Sequence, residues 1–212
     1  MNEFFKRLIT SLFLILVLYI GLINKIFLFF LIIIFIFLLF SEFNYMLKRI
    51  FKKNKLLNLF FLLFIYIYLA FFSLYLWSFL NRTDPNIELF FIFILSICVS
   101  TDIGGYIFGK IFKGKKLTSI SPNKTYSGVI GSYLLPLLVT TIFFNKLTYE
   151  LNYLIIFFLV STFSQIGDLF ISYLKRKAKL KDTGSILPGH GGLLDRVDGI
   201  LFALPLGLIL VT

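Results

Sequence analysis

The sequence predicts an all-α, polytopic integral membrane protein of about seven transmembrane helices, with a cytoplasmic N-terminus and a polar site on the cytoplasmic side. Three observations predict this. Hydrophobic residues make up 59% of the 212 residues, Phe alone accounts for 29, and the mean hydropathy is +0.96; a soluble domain is nearer half apolar. The apolar residues fall into long runs nearly free of charge, and a bilayer span needs about 20 of them. Lys and Arg, finally, are crowded into alternate connections between those runs.

The runs cover about 8–23, 26–40, 56–80, 87–109, 126–145, 151–174 and 193–212. Lys6 and Arg7 precede the first, and no small-residue cleavage site follows it, so an uncleaved span is expected rather than a signal peptide. The second is short for a span and carries Glu42 at its inner end, read as a helix-end carboxylate facing headgroups. A basic stretch, Lys48 to Lys55, leads into the uniformly apolar third run. Polar residues from Thr101 to Tyr106 interrupt the fourth, and a hydroxyl-rich loop precedes the fifth. Along the sixth, Ser161, Gln165, Asp168, Ser172 and Lys175 recur every three or four residues, one polar stripe that must face protein or water rather than lipid. The seventh opens on Asp195-Arg196-Val197-Asp198.

With the N-terminus in the cytoplasm and seven alternating spans, only Lys25, Arg82 and Lys146 of the 21 Lys and Arg fall outside. That is the asymmetry of the positive-inside rule. The net charge of +11 is thus first a topology signal and second an attraction for anionic headgroups. No basic soluble domain exists to bind nucleic acid. The one cysteine, Cys98, excludes an intramolecular disulfide and is read as a packing residue. Residues 1–212 are treated as a single membrane domain, with 1–100 an apolar helical scaffold and 101–212 the catalytic half. Glycine marks the change: Gly21 is the only one of the 14 before residue 101.

Three polar groups carry the chemistry. In the first, Asp102 and Tyr106 share a helix face, and Gly104, Gly105 and Gly109 admit close approach by a helix or a ligand. The second, Ser119 to Thr125, has the hydroxyls, the Lys124 amine and the following helix N-terminus of a phosphate cradle, though an ordinary polar loop has them too. The third runs from Ser172 to Asp198 and packs three acids, six Lys or Arg, the only His and four Gly into 27 residues. Its acids could hold a divalent cation through oxygen ligands, or form an Asp–Arg network capping helix ends.

At these residues the chain resembles the phosphatidate cytidylyltransferases (CDP-diacylglycerol synthases). Ser172-x-Leu174-Lys175-Arg176, Lys181-Asp182-x-Gly184 and Pro188-Gly189-His190-Gly191-Gly192-x-x-Asp195-Arg196-x-Asp198 match that family's pattern at every defined position. Asp102 to Lys110 and Ser121-Pro122-x-Lys124-Thr125-x-x-Gly128 are similar to its two upstream motifs, with two departures. Ser127 stands for the family's Glu, and Ile103-Gly104-Gly105 for Thr-Gly-Ala. The resemblance is firm over about 96–205, and the chain is expected to be one or two N-terminal spans short of the family.

The resemblance implies transfer of the cytidylyl group of CTP to phosphatidic acid, giving CDP-diacylglycerol and pyrophosphate. It implies Mg2+, with room for a second cation, and a homodimer in a bacterial-type plasma membrane whose lipids supply the acceptor. Asp168, Asp195 and Asp198 are the implied metal ligands. Lys175, Arg176, Arg196, Ser172 and Lys181 would neutralise and orient phosphates. Asp182 would be a metal ligand, a partner of Lys181 or a helix cap. His190 would orient a phosphate rather than act as a base, because a phosphate monoester is already largely ionised. Asp102, Ser121, Lys124 and Thr125 would touch the nucleotide.

Other readings remain. A CTP-dependent polyprenol or phytol kinase would share the polar face but needs a general base for its alcohol. An ion-coupled transporter could use Asp102 and Asp168 as an ion path. A CDP-alcohol phosphotransferase needs an acid spacing that is missing after Asp198-Gly199.

Overall fold

The structure, a computed structural model, describes residues 3–118, 121, 124–144, 152–188 and 191–211. Those residues form seven helices: α1 (Glu3–Ile23), α2 (Lys25–Ile50), α3 (Lys55–Leu80), α4 (Ile87–Phe112), α5 (Tyr126–Phe144), α6 (Asn152–Lys177) and α7 (Leu194–Leu210). Each expected run lies on one of them. The second run, short as an apolar segment, is the core of a 26-residue helix whose polar last turns reach Ile50. Helices α1 to α6 are long and apolar enough to cross a membrane. The 17 residues of α7 rise about 25 Å, slightly under the bilayer's apolar thickness. The chain is an integral membrane protein.

The chain divides into two compact units. One holds the residues up to Thr83 together with Leu174–Val197; the other holds Asp84–Tyr173 and the chain from Asp198.

In the first unit, helix breaks are set by asparagine. The Asn24 side chain accepts the N–H groups of Ile26 and Phe27 at 3.0 and 3.1 Å and starts α2 one residue after α1 ends. Asn54 does the same for α3 through Leu57 at 3.1 Å. These caps satisfy N–H groups that a helix start leaves without partners. Gly21 lets α1 and α2 approach, since a Cβ there would already touch Leu31 and Leu28 at 3.3 and 3.4 Å. Lys25 Nζ donates to the Leu80 carbonyl at 2.7 Å, so the start of α2 satisfies the end of antiparallel α3. Leu39, Met46, Leu69 and Phe79 fill the core. Leu12, Phe13, Phe60 and Phe64 are exposed, as lipid-facing side chains should be.

In the second unit, α4 and α5 pack backbone to backbone. A Cβ on Gly104 would stand 2.2 Å from the Gly131 carbonyl oxygen, and one on Gly131 2.5 Å from that of Gly104. Small residues serve α6 and α7 likewise: Gly167 lies under the Asp198 carbonyl, and Gly199 under Ser164. Cys98 is fully buried among Phe93, Ile94 and Ile97, the packing role expected of it.

Candidate functional site

Each unit carries one polar cluster. In the second unit it is built on α4, α6 and the loop entering α5. Lys116 pairs with Thr125 across that loop, with Leu117 N–H donating to the Lys124 carbonyl at 2.8 Å and Tyr126 N–H to that of Lys115 at 3.1 Å. The Thr125 hydroxyl caps α5 by accepting Gly128 N–H at 3.1 Å. Ser127 donates to the Lys113 carbonyl and lies 2.9 Å from the Thr125 hydroxyl, so the departure at 127 closes the loop on α4. The backbone carbonyl of Ser121 accepts Lys124 N–H at 3.0 Å. This turn aims Lys124 at α6, where its amine pairs with Asp168 Oδ2. The other Asp168 oxygen has a loose contact, 3.4 Å, with the Ser172 hydroxyl. Asp102 is exposed on α4, within electrostatic range of both Asp168 and Lys124.

The polar stripe of α6 faces protein, as expected: Ser161 is fully buried and meets the Thr101 hydroxyl at 3.1 Å, and Ser172 is buried too. Asp198 is buried, with Oδ1 accepting its own Gly199 N–H at 2.9 Å.

In the first unit the cluster joins the last turn of α6, the segment after it and the first turn of α7. Lys179, at φ 56, ends α6: Leu180 N–H bonds the Lys175 carbonyl and Lys179 N–H that of Arg176, the double bond of a Schellman motif. Arg176 donates to the Leu180 carbonyl at 3.3 Å across the same turn. Lys175 reaches Asp195 Oδ1 at 2.7 Å, both side chains largely buried. Asp195 Oδ2 accepts Thr183 N–H at 2.7 Å, the Thr183 hydroxyl at 3.0 Å and Gly192 N–H at 3.1 Å. Gly191, at φ 84, supplies the left-handed turn that brings Gly192 N–H into place.

One acid expected at the surface is inside. Glu42 is only 4% exposed and accepts the Thr183 hydroxyl and the N–H groups of Leu193 and Leu194 at 2.7, 2.8 and 2.9 Å. Hydropathy placed it at a helix end, but its partners are more than 140 residues away in sequence, beyond any pattern. Beside it opens a cavity of about 420 Å³, with Ser41, Glu42 and Tyr45 on one side and Asp182, Thr183 and Ser185 on the other. That is a volume small ligands use.

Arg176, Lys181, Asp182 and Arg196 are exposed. His190 lies outside the described residues, as do Pro122 and Gly189 of the motifs. Among the described residues no three Asp, Glu, His or Cys side chains gather as a ready cation cage. The donor chemistry nevertheless suits a hard divalent ion, which takes carboxylate oxygens and keeps several waters. Exposed Asp102 and Asp182 carry less engaged oxygens than Asp168, whose Oδ1 has only the loose Ser172 contact. Asp195 Oδ2 is held by two N–H groups and shares the Thr183 hydroxyl with Glu42, so its Oδ1 is the oxygen that could turn to a cation, at the expense of Lys175.

A family model described as the cytidylyltransferase family matches residues 3–212. The chain is similar to the phosphatidate cytidylyltransferase of Staphylococcus haemolyticus, 46% identical over 110 residues, 50% of this chain and 42% of that protein. The Bacillus subtilis enzyme of that name is 45% identical over 120 residues, 53% and 45% of the two chains. That of Helicobacter pylori is 43% identical over 113 residues, 52% and 42%. The matched stretch thus spans less than half the length of each of these relatives.

Proposed function

The chain belongs to the cytidylyltransferase family, and from that premise we propose that it makes CDP-diacylglycerol and pyrophosphate from CTP and phosphatidic acid. The observation that carries the reading is the pairing of cations with carboxylates where long apolar helices end. Lys175 stands in the last turn of α6, Asp195 in the first turn of α7, and Lys124 just before α5. There a soluble, anionic nucleotide can meet a lipid phosphate that stays in the membrane.

In the reaction, an oxygen of the lipid phosphate attacks the α-phosphorus of CTP and the bond to the β-phosphate breaks, releasing pyrophosphate. The nucleophile is already ionised, so repulsion between anions is the obstacle, and positioning with charge neutralisation overcomes it. Lys175, Arg176 and Lys181 in one unit and Lys124 in the other supply positive charge; Ser172, Arg196 and His190 orient phosphates. The cavity beside Asp182 is large enough to admit part of the nucleotide. Asp168 and Asp198 in one unit, with Asp102 able to contribute, and Asp195 in the other are the carboxylates that could hold Mg2+, which would offset charge on the leaving pyrophosphate. The distribution of Lys and Arg supports a site facing the cytoplasm, bacterial relatives support a plasma-membrane location, and a homodimer is the assembly the family resemblance implies.

The test is Mg2+-dependent transfer of label from CTP into lipid by the purified protein with phosphatidic acid in vesicles. Label from the α-phosphate in CDP-diacylglycerol is the expected result. Transfer of the γ-phosphate to a polyprenol or phytol, with none to phosphatidic acid, would replace this reading by a lipid kinase.

A further inference from the structure

We propose that Glu42, on a helix that none of the motifs includes, is a positioning residue: it holds Thr183 and the residues from Gly192 to Asp195 in the arrangement that presents Lys175. Glu42 is the only acid of α2 and is buried. Its Oε1 accepts Leu193 N–H at 2.8 Å, and its Oε2 accepts Leu194 N–H at 2.9 Å. These donors sit at the start of α7, where backbone N–H groups lack helical partners and negative charge is favoured. A side chain some 150 positions away thus caps the helix that carries Asp195 in its first turn.

The third donor makes the connection to Lys175. Thr183 Oγ1 lies 2.7 Å from Glu42 Oε2 and 3.0 Å from Asp195 Oδ2. One hydroxyl proton therefore stands between two carboxylates, and Asp195 in turn receives Lys175 at 2.7 Å. The segment is shaped around this contact. A Cβ on Gly184 would come within 3.0 Å of Glu42 Oε1, and one on Gly192 within 2.6 Å of Oε2 and 2.0 Å of the Thr183 hydroxyl. Without the Glu42 carboxylate, two helix-start N–H groups lose their acceptor in a buried place, and the hydroxyl is left to Asp195 alone. The segment must then shift to regain one, and the Asp195–Lys175 pair moves with it.

The experiment uses the full chain in detergent micelles, as Glu42→Gln and as Thr183→Val. The first puts an amide N–H among donors; the second removes only the bridging hydroxyl. Lysines are labelled with an amine-reactive ester and followed site by site by peptide mass spectrometry. Lys175 is expected to label about fivefold faster in Glu42→Gln and somewhat less so in Thr183→Val, with exposed Lys179 and Lys181 unchanged, as for a local opening. Unchanged labelling at Lys175 in both variants, or an equal rise at every lysine, overturns the proposal. The second arm rests on the cytidylyltransferase reading: kcat for CTP should fall about tenfold or more while KM for CTP changes much less. Altered labelling with normal kcat would show that the contact does not serve catalysis. A wild-type protein that turns over no CTP, yet shows the Lys175-specific labelling change, would sink the function and leave the positioning intact.

Discussion

Asp195 and Asp168 are alike in the sequence and differ in the structure. Asp195 ties four donors together, from Lys175 and from both ends of the segment before α7, whereas Asp168 holds one lysine and a loose hydroxyl contact. Asp195→Asn would set an amide against Lys175 and loosen that segment, costing about 1–3 kcal/mol. We expect it to lower CTP turnover a hundredfold or more and to speed proteolysis between residues 180 and 192. Asp168→Asn should lower turnover comparably with proteolysis unchanged, because little structure depends on it. The pair of variants, measured side by side, checks whether the two carboxylates differ as the geometry says. Ser127 belongs at this scale too. Its hydroxyl is engaged with the Lys113 carbonyl and with Thr125, so Ser127→Ala should cost at most about tenfold in turnover, ~1.4 kcal/mol. A loss beyond a hundredfold would mean that Ser127 holds substrate directly.

At the scale of the element, the glycines of α4 are not equivalent. A methyl group at Gly104 meets the backbone of Gly131 at 2.2 Å, which cannot yield without separating α4 from α5. At Gly105 the obstacle is the Ser132 hydroxyl at 2.6 Å, the end of a side chain that can rotate away. Gly104→Ala should therefore lower the melting temperature by several degrees, about 2–3 kcal/mol of overpacking. Gly105→Ala, which restores the residue the resembled family has there, should leave it nearly unchanged. Thermal unfolding of both proteins in one detergent separates them. The second and third runs begin near 26 and 56, within a residue of where α2 and α3 start. The caps that set those starts, Asn24 and Asn54, emerged only with the structure. The end of α2 was less legible: the apolar run stops near 40, whereas the helix continues to Ile50 through Glu42, Asn44, Lys48 and Arg49.

At the scale of the whole molecule, the distribution of Lys and Arg carries the orientation we propose. If all Lys and Arg except Lys25, Arg82 and Lys146 face the cytoplasm, single cysteines placed at Lys53 and Lys179 in a Cys98→Ala background should resist a membrane-impermeant thiol reagent in intact cells. A cysteine at Arg82 should be labelled. The reverse pattern, or labelling of all three alike, would overturn the orientation and with it the cytoplasmic site. Cys98 itself is fully buried, so its removal leaves a clean background at the cost of a small cavity.

The sequence by itself determined that the chain spans a membrane, where its helices lie, and which short segments carry charge. Each of these follows from local composition, since burying an uncompensated charge or an unpaired backbone group in lipid costs too much to be overridden. It also marked Lys124, Asp168, Lys175 and Asp195 as candidates, through their spacing in dense polar segments. Which of them pair was decided only by the tertiary structure. Lys124 meets Asp168 and Lys175 meets Asp195, though Lys175 is closer to Asp168 along the chain and lies on the same helix. Only the fold, too, could show Glu42 as a buried acceptor rather than a surface charge. A lone carboxylate in an apolar helix looks the same in sequence whether it faces headgroups or three donors, and the donors come from the far end of the chain.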